Sequence, residues 1–261
     1  MLKKLIRYDM RYFCRVLPKV FAAIIIFVTA LTLIFTGIAE NQDSAIKIIL
    51  TSILYNPIVF IAAFASVILA QIIIMVRIYK NMFSREGYLT FTLPATNREL
   101  IVSKLVSCGV WYYFAAILLA FCLYCIFITS KLTMFGSDSF LFGIAKTVSD
   151  WWGTLGIKTW QIALYAAIFA ALSSIYNAAA SILAFCVGQL AAKSRVIAGI
   201  GVYIGITDAV TIVNIVIASI LIFALKVPFL ALISFPIVMC AAALLFIYLS
   251  DKLMKTKLNL V

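Results

Sequence analysis

Six stretches of this sequence stay apolar for longer than the roughly 20 residues a helix needs to cross the hydrocarbon layer of a bilayer. They run from about Lys19 to Ala39, Pro57 to Tyr79, Lys104 to Thr129, Gln161 to Val187, Val196 to Leu225 and Phe229 to Leu249. A backbone in lipid has no water to bond to, so each run must close its own hydrogen bonds as a helix. The expected fold class is therefore all-α integral membrane, with six transmembrane helices. A water-soluble alternative fails on composition. The chain is 66% hydrophobic and 11% charged, whereas soluble domains carry about a quarter charged residues. Too few polar side chains remain to cover so large an apolar interior. The longest polar-leaning gap, about Ser130–Trp160, is too short for a separate soluble domain.

The net charge is +12, and the cations sit at the ends of the apolar runs. That arrangement points to membrane topology and anionic lipid, and no nucleic-acid partner is expected. With both termini in the cytoplasm, sixteen of the Lys and Arg side chains fall inside. Only Lys47, Lys131, Lys146, Lys158 and Lys226 fall outside. Cytoplasmic loops are enriched in such cations, so this orientation is the expected one. Trp151, Trp152 and Trp160 then lie near the outer interface. Residues 1–18 form an expected amphipathic N-terminal interfacial helix. Lys3, Arg7, Arg11 and Arg15 make one basic stripe, with Leu2, Leu5, Ile6, Met10, Phe13, Val16 and Leu17 opposite. Residues 19–261 make up the six-helix transmembrane domain. A cleaved signal peptide is a poorer reading, because both the basic region and the apolar run are too long for one.

No catalytic residues and no metal-ligand set are expected. The chain has no histidine, the commonest general base and metal ligand. Cys122 and Cys125 form a C-x-x-C, but inside an apolar run where small core residues are the better reading than a redox pair. A P-loop needs G-x-x-x-x-G-K-[ST] to hold phosphates, and no glycine here precedes a lysine. Asp208 is an acidic side chain inside an apolar run; unsatisfied at mid-span it would cost about 2.5–3.5 kcal/mol. Asp208 with Asn214 is one candidate for a substrate path; a hydrated helix break, or pairing with Asn214, is the other reading. The fifth run is overlong and is expected to break or turn back before Pro228. Gly201 and Gly205, then Ala62, Ser66 and Ala70, then Ser173, Asn177, Ser181 and Ala184, mark faces small enough for close helix contact.

The most informative polar segment is 80–104, KNMFSREGYLTFTLPATNRELIVSK. Thr96-Asn97-Arg98-Glu99 reads as a capping box, so the third helix should start near Asn97. The second helix should run past Tyr79 to about Glu86, where Gly87 ends it. Two helix ends would then project from the membrane, joined by an elbow carrying exposed apolar side chains. Such a surface suits docking of a partner, and equally a loop lying on the lipid headgroups.

Within this segment the run Arg85-Glu86-Gly87-Tyr88-Leu89-Thr90-Phe91-Thr92-Leu93-Pro94, with Glu99-Leu100 and Ser103-Lys104-Leu105 behind it, resembles the first cytoplasmic loop of bacterial ATP-binding-cassette exporter permeases. These are six-span permeases that work with separate ATPase subunits. The basic N-terminal helix and the layout with both ends inside are similar too. The motif likeness covers about twenty residues, the architectural likeness the whole chain. The resemblance implies a multi-pass protein of the bacterial cytoplasmic membrane, paired with a second permease protomer as homo- or heterodimer. It implies an ATPase partner that binds ATP and Mg, with no cofactor in this chain. It implies that Phe83, Arg85, Glu86, Tyr88 and Leu89, with Gly87 and Pro94 shaping the same element, couple the permease to that ATPase. The sequence departs from the family at the outer side: the fifth-to-sixth connection, near Lys226–Phe229, is very short, and 130–160 is long. A non-pumping membrane immunity or binding protein is the alternative. A membrane enzyme is the weaker one, since there is no G-x-S-x-G and no second intramembrane aspartate beside Asp208.

Overall fold

The computed structural model describes residues 2–40, 54–83, 96–133, 159–191, 194–224 and 228–256. Among these there is no strand. The elements are α1 (Leu2–Glu40), α2 (Asn56–Phe83), α3 (Asn97–Thr133), α4 (Thr159–Gly188), α5 (Arg195–Ser219) and α6 (Pro228–Thr256). A π-helical stretch, Ile220–Ala224, prolongs α5. Among the described residues, six helices are long and apolar enough to span a membrane, with mean hydropathy from 1.7 to 2.8 over their most apolar 18 residues. This is the architecture of a multi-pass membrane protein. Large apolar side chains such as Ile61, Phe64, Ile197 and Phe223 lie exposed on it, as lipid-facing residues would.

Several helices overrun the spans read from hydropathy, α6 by seven residues past Leu249, and for α1, α2 and α3 the reasons are local. In α1 the expected surface helix and the first span are one continuous helix with Pro18 inside it. Proline removes one backbone donor and tends to kink a helix without always ending it. At about 1.5 Å per residue, α1 is about 58 Å long, nearly twice the roughly 30 Å hydrocarbon layer, so much of it must extend beyond that layer. α2 reaches Phe83, past Tyr79; Glu86 and Gly87, where it was expected to end, lie outside the described residues. α3 begins at Asn97 because the capping box closes there. Glu99 N–H donates to Thr96 Oγ1 at 3.3 Å, and Thr96 N–H donates to Glu99 Oε2 at 3.1 Å. Replacing Thr96 with alanine should cost about 1 kcal/mol, readable as faster amide exchange confined to residues 97–100. The fifth run does not break at its polar residues. α5 passes through Asp208 and Asn214 and changes pitch only at Ile220.

The chain divides into two compact units. One comprises Cys14–Ala70 and Phe114–Ala166. Its core joins Val28 of α1 to Tyr55, Val59 and Ala63 and to Cys122, Cys125 and Ile126 of α3. Both cysteines of the C-x-x-C are free, buried thiols. Thr32 donates its only hydroxyl proton to Val28 O at 2.6 Å, so in the 3.0 Å contact with Tyr55 the phenol is the donor.

The other unit comprises Met1–Phe13, Gln71–Tyr113 and Ala167–Val261. α4 is its central helix. Ala178, Ala179, Ala180, Ser181 and Ala184 are all buried, and such small side chains let neighbouring backbones approach. The hydroxyls use the same closeness. Tyr112 OH and Ser181 Oγ lie 3.1 Å apart, and Tyr203 OH donates to Asn177 Oδ1 at 2.8 Å. Thus α3 and α5 are both hydrogen-bonded to α4. Among the described glycines the tightest backbone contact is between Gly188 and Gly199, where a Cβ on Gly188 would fall 2.7 Å from Gly199 Cα. Gly201 and Gly205, the G-x-x-x-G of the sequence, have nothing within 4 Å of such a Cβ.

Candidate functional site

Within the second unit, one carboxylate holds together the helix ends that flank residues 84–95. Asp9 lies on α1 between Leu5 and Phe13 at helical spacing, opposite the basic stripe. That face packs inward: Asp9 and Phe13 are each 1% exposed, while Lys3, Arg7, Arg11 and Arg15 face out. Phe13 packs on Trp111 of α3, ring centroids 6.4 Å apart. Asp9 Oδ1 accepts from Asn81 Nδ2 of α2 at 2.7 Å. Its Oδ2 accepts from Lys104 Nζ of α3. Arg77, one turn before Asn81, brings Nη2 to 3.9 Å of Oδ1. The Arg77 guanidinium also stacks on α1 aromatics, 4.2 Å from the Tyr12 ring centroid and 5.4 Å from that of Tyr8.

The electrostatics make this clamp demanding. Asp9, Arg77, Asn81 and Lys104 are all buried. Several kcal/mol of desolvation per ion must be offset by close geometry and by further hydrogen bonds. Here both carboxylate oxygens are engaged, and the second cation lies against two aromatic faces. Asn81 stands two residues before the end of α2, and Lys104 seven residues after the start of α3. The exit side has a second tether at its rim. Arg98 Nε meets Asp251 Oδ2 of α6 at 3.3 Å, and Lys255 Nζ meets the same oxygen at 2.8 Å. Exposed pairs of this kind contribute little, about 0–1 kcal/mol. The buried Asp9 centre therefore dominates.

Of the residues singled out for coupling, Phe83 ends α2 and is half-buried. Arg85, Glu86, Gly87, Tyr88, Leu89 and Pro94 lie outside the described residues. Asp208 and Asn214 are not brought together. Asp208 is exposed on α5, while Asn214 is buried and donates from Nδ2 to its own helix at Val210 O, 3.0 Å away. Asp9 was missed by sequence reasoning, which treated residues 1–18 as a basic stripe with an apolar back. The signal was there: a single acidic residue in register with Leu5, Phe13 and Leu17 on the apolar face. Among the described residues, no group of three or more His, Cys, Asp or Glu side chains could hold a metal ion.

Fold and site together define a multi-pass helical membrane protein in which the N-terminal helix is ion-paired to both anchors of a polar connecting segment. No protein-family model, curated protein or solved structure matches the chain.

Proposed function

We propose that this chain is the membrane-spanning permease subunit of an ATP-driven exporter. It would work as a dimer in a bacterial cytoplasmic membrane, with both termini inside and separate ATPase subunits bound beneath. The observation that carries the reading is the Asp9 clamp. A segment that must transmit force from a partner needs stiff anchors, and here both anchors and α1 meet at one buried carboxylate. Closure of two ATPases on ATP would push on residues 84–95, and the three clamped helices would move as a rigid body. In this reading the N-terminal basic stripe rests on the anionic headgroups while the opposite face holds the clamp. Phe83, Arg85, Glu86, Gly87, Tyr88, Leu89 and Pro94 form the ATPase contact. ATP and Mg belong to the partner. The substrate is a peptide or another hydrophobic molecule moving along an apolar path between helices, with Asp208 and Asn214 as candidate contacts.

The test is co-purification. The tagged wild type, taken from native membranes in mild detergent, should bring down a P-loop ATPase in stoichiometric amount. Glu86→Arg should lose it while keeping its own yield and melting temperature. If the wild type purifies well without any ATPase, the exporter reading fails and a binding or immunity protein takes its place.

A further inference from the structure

A groove of about 510 Å³ opens along the second unit, walled by Leu183 and Val187 of α4, Val202 of α5, and Phe246 and Leu249 of α6, with Lys252 at one end. Except at that end its walls are apolar. An apolar groove excludes water, and in a bilayer the apolar molecule at hand is a lipid tail. The charged end decides which lipid. Lys252 is exposed and, among the described residues, makes no salt bridge, because the adjacent Asp251 carboxylate is engaged by Lys255 and Arg98. Arg195 is also exposed, and stands seven residues before Val202, two turns away on the same face of α5. Arg195 also opens α5, whose N-cap, Ser194, makes no side-chain capping bond and has a left-handed backbone with φ 49°. Ser194 thus leaves the first-turn N–H groups without a cap from its side chain, and a helix N-terminus favours an anion. Arg195 stands beside the end of α4, its carbonyl oxygen 3.0 Å from where a Cβ on Gly188 would be, and Lys252 lines the groove from α6.

We infer that this groove is a binding site for one anionic phospholipid, its acyl chain between Leu183, Val202 and Phe246 and its phosphate at Lys252 and Arg195. Basic pockets between membrane helices hold anionic headgroups in this way. The inference stands on the groove and its charges, and does not depend on the exporter reading.

The full chain, purified in mild detergent, would be titrated with phosphatidylglycerol and with phosphatidylcholine of the same acyl chains, and the bound lipid counted by native mass spectrometry. One phosphatidylglycerol should bind at markedly lower concentration than phosphatidylcholine. Lys252→Ala should cut that preference about fivefold, the effect of one surface cation. Lys4→Ala, which removes an exposed cation from α1, should leave it intact. Ile206→Trp, which fills the groove from its α5 wall, should abolish tight binding of both lipids. The site is refuted if the wild type does not distinguish the two lipids. It is equally refuted if Lys252→Ala keeps the full preference, or if millimolar inorganic phosphate displaces the lipid as well as an anionic lipid does.

Discussion

Asp9→Leu should destabilise the protein by about 3–5 kcal/mol, the usual cost of removing one partner from a buried ion pair. The loss comes mostly from what remains. Lys104 and Arg77 would be left buried beside an apolar side chain, and Asn81 would lose its acceptor. Lys104→Met alone should cost a comparable amount, since it strips the carboxylate of its closest cation. The double variant Asp9→Leu/Lys104→Met should lose less than the two losses summed, with a coupling of at least about 1 kcal/mol, because the Lys104 ammonium is no longer stranded, while Arg77 still lacks the carboxylate. Unfolding in mixed micelles with rising SDS would measure all three. If Asp9→Leu unfolds within about 0.5 kcal/mol of wild type, the carboxylate does not hold these helices together. The functional corollary follows from the exporter reading. The double variant should fold yet lose coupled transport, since a packed apolar contact lacks the fixed directions of the ion pair.

The second large effect is at the α4–α5 crossing. Gly188→Ala should cost about 1–3 kcal/mol or more, the range for overpacking a closed contact. The new Cβ would meet Gly199 Cα and N at 2.7 Å and Arg195 O at 3.0 Å, all backbone atoms that cannot rotate away. The helices themselves would have to separate, disturbing the nearby Tyr203–Asn177 bond between them. Gly199→Ala should be milder, because its Cβ meets the Phe185 ring at 2.6 Å and a ring can shift. Gly201→Ala should be neutral or slightly stabilising within the monomer. Nothing lies within 4 Å of its Cβ, and alanine suits a helix better than glycine by up to about 1 kcal/mol. The same unfolding assay ranks the three, and a Gly188→Ala protein as stable as Gly201→Ala would show that α4 and α5 are not in backbone contact at Gly188.

These glycines show how far the sequence can be read. The G-x-x-x-G spacing of Gly201 and Gly205 is a local pattern, and by itself it carries no information on which partner, if any, lies over it. Gly188 and Gly199 have no motif. Their importance arises from where two helices cross after a turn, which depends on the packing of Phe185 and the rest of α4. The helix starts are the opposite case. The capping box at Thr96 and Glu99 is a contact three residues long, so spacing sufficed to read it, and it closes in the structure as expected.

The same division holds for the site. The segment 80–104 stood out because it is polar and charged between two long apolar runs, and α2 and α3 do flank it. What ties its anchors together could not be read from it, because the tying residue is far away in the chain: Asn81 and Asp9 are 72 residues apart, and Lys104 and Asp9 are 95 apart. Arg77 and Lys104 were counted as topogenic cations at span ends. Both are also buried partners of one carboxylate, a role that charge counting cannot distinguish from exposure.

By itself, the sequence determined the class of protein and its helices. Runs of more than 20 apolar residues leave the backbone no partner but itself in lipid, so span number and approximate position follow from local composition. Only the tertiary structure decided that α1 is one helix through Pro18, that its single inward carboxylate holds α2 and α3, and that Gly188 and Gly199, not Gly201 and Gly205, form the close crossing. The physical reason is common to all three. Inside a membrane the apolar faces of a helix are nearly equivalent, since lipid tails and leucines offer the same surroundings. Which face turns inward is then set by a few polar and small side chains, whose partners are far away in the chain.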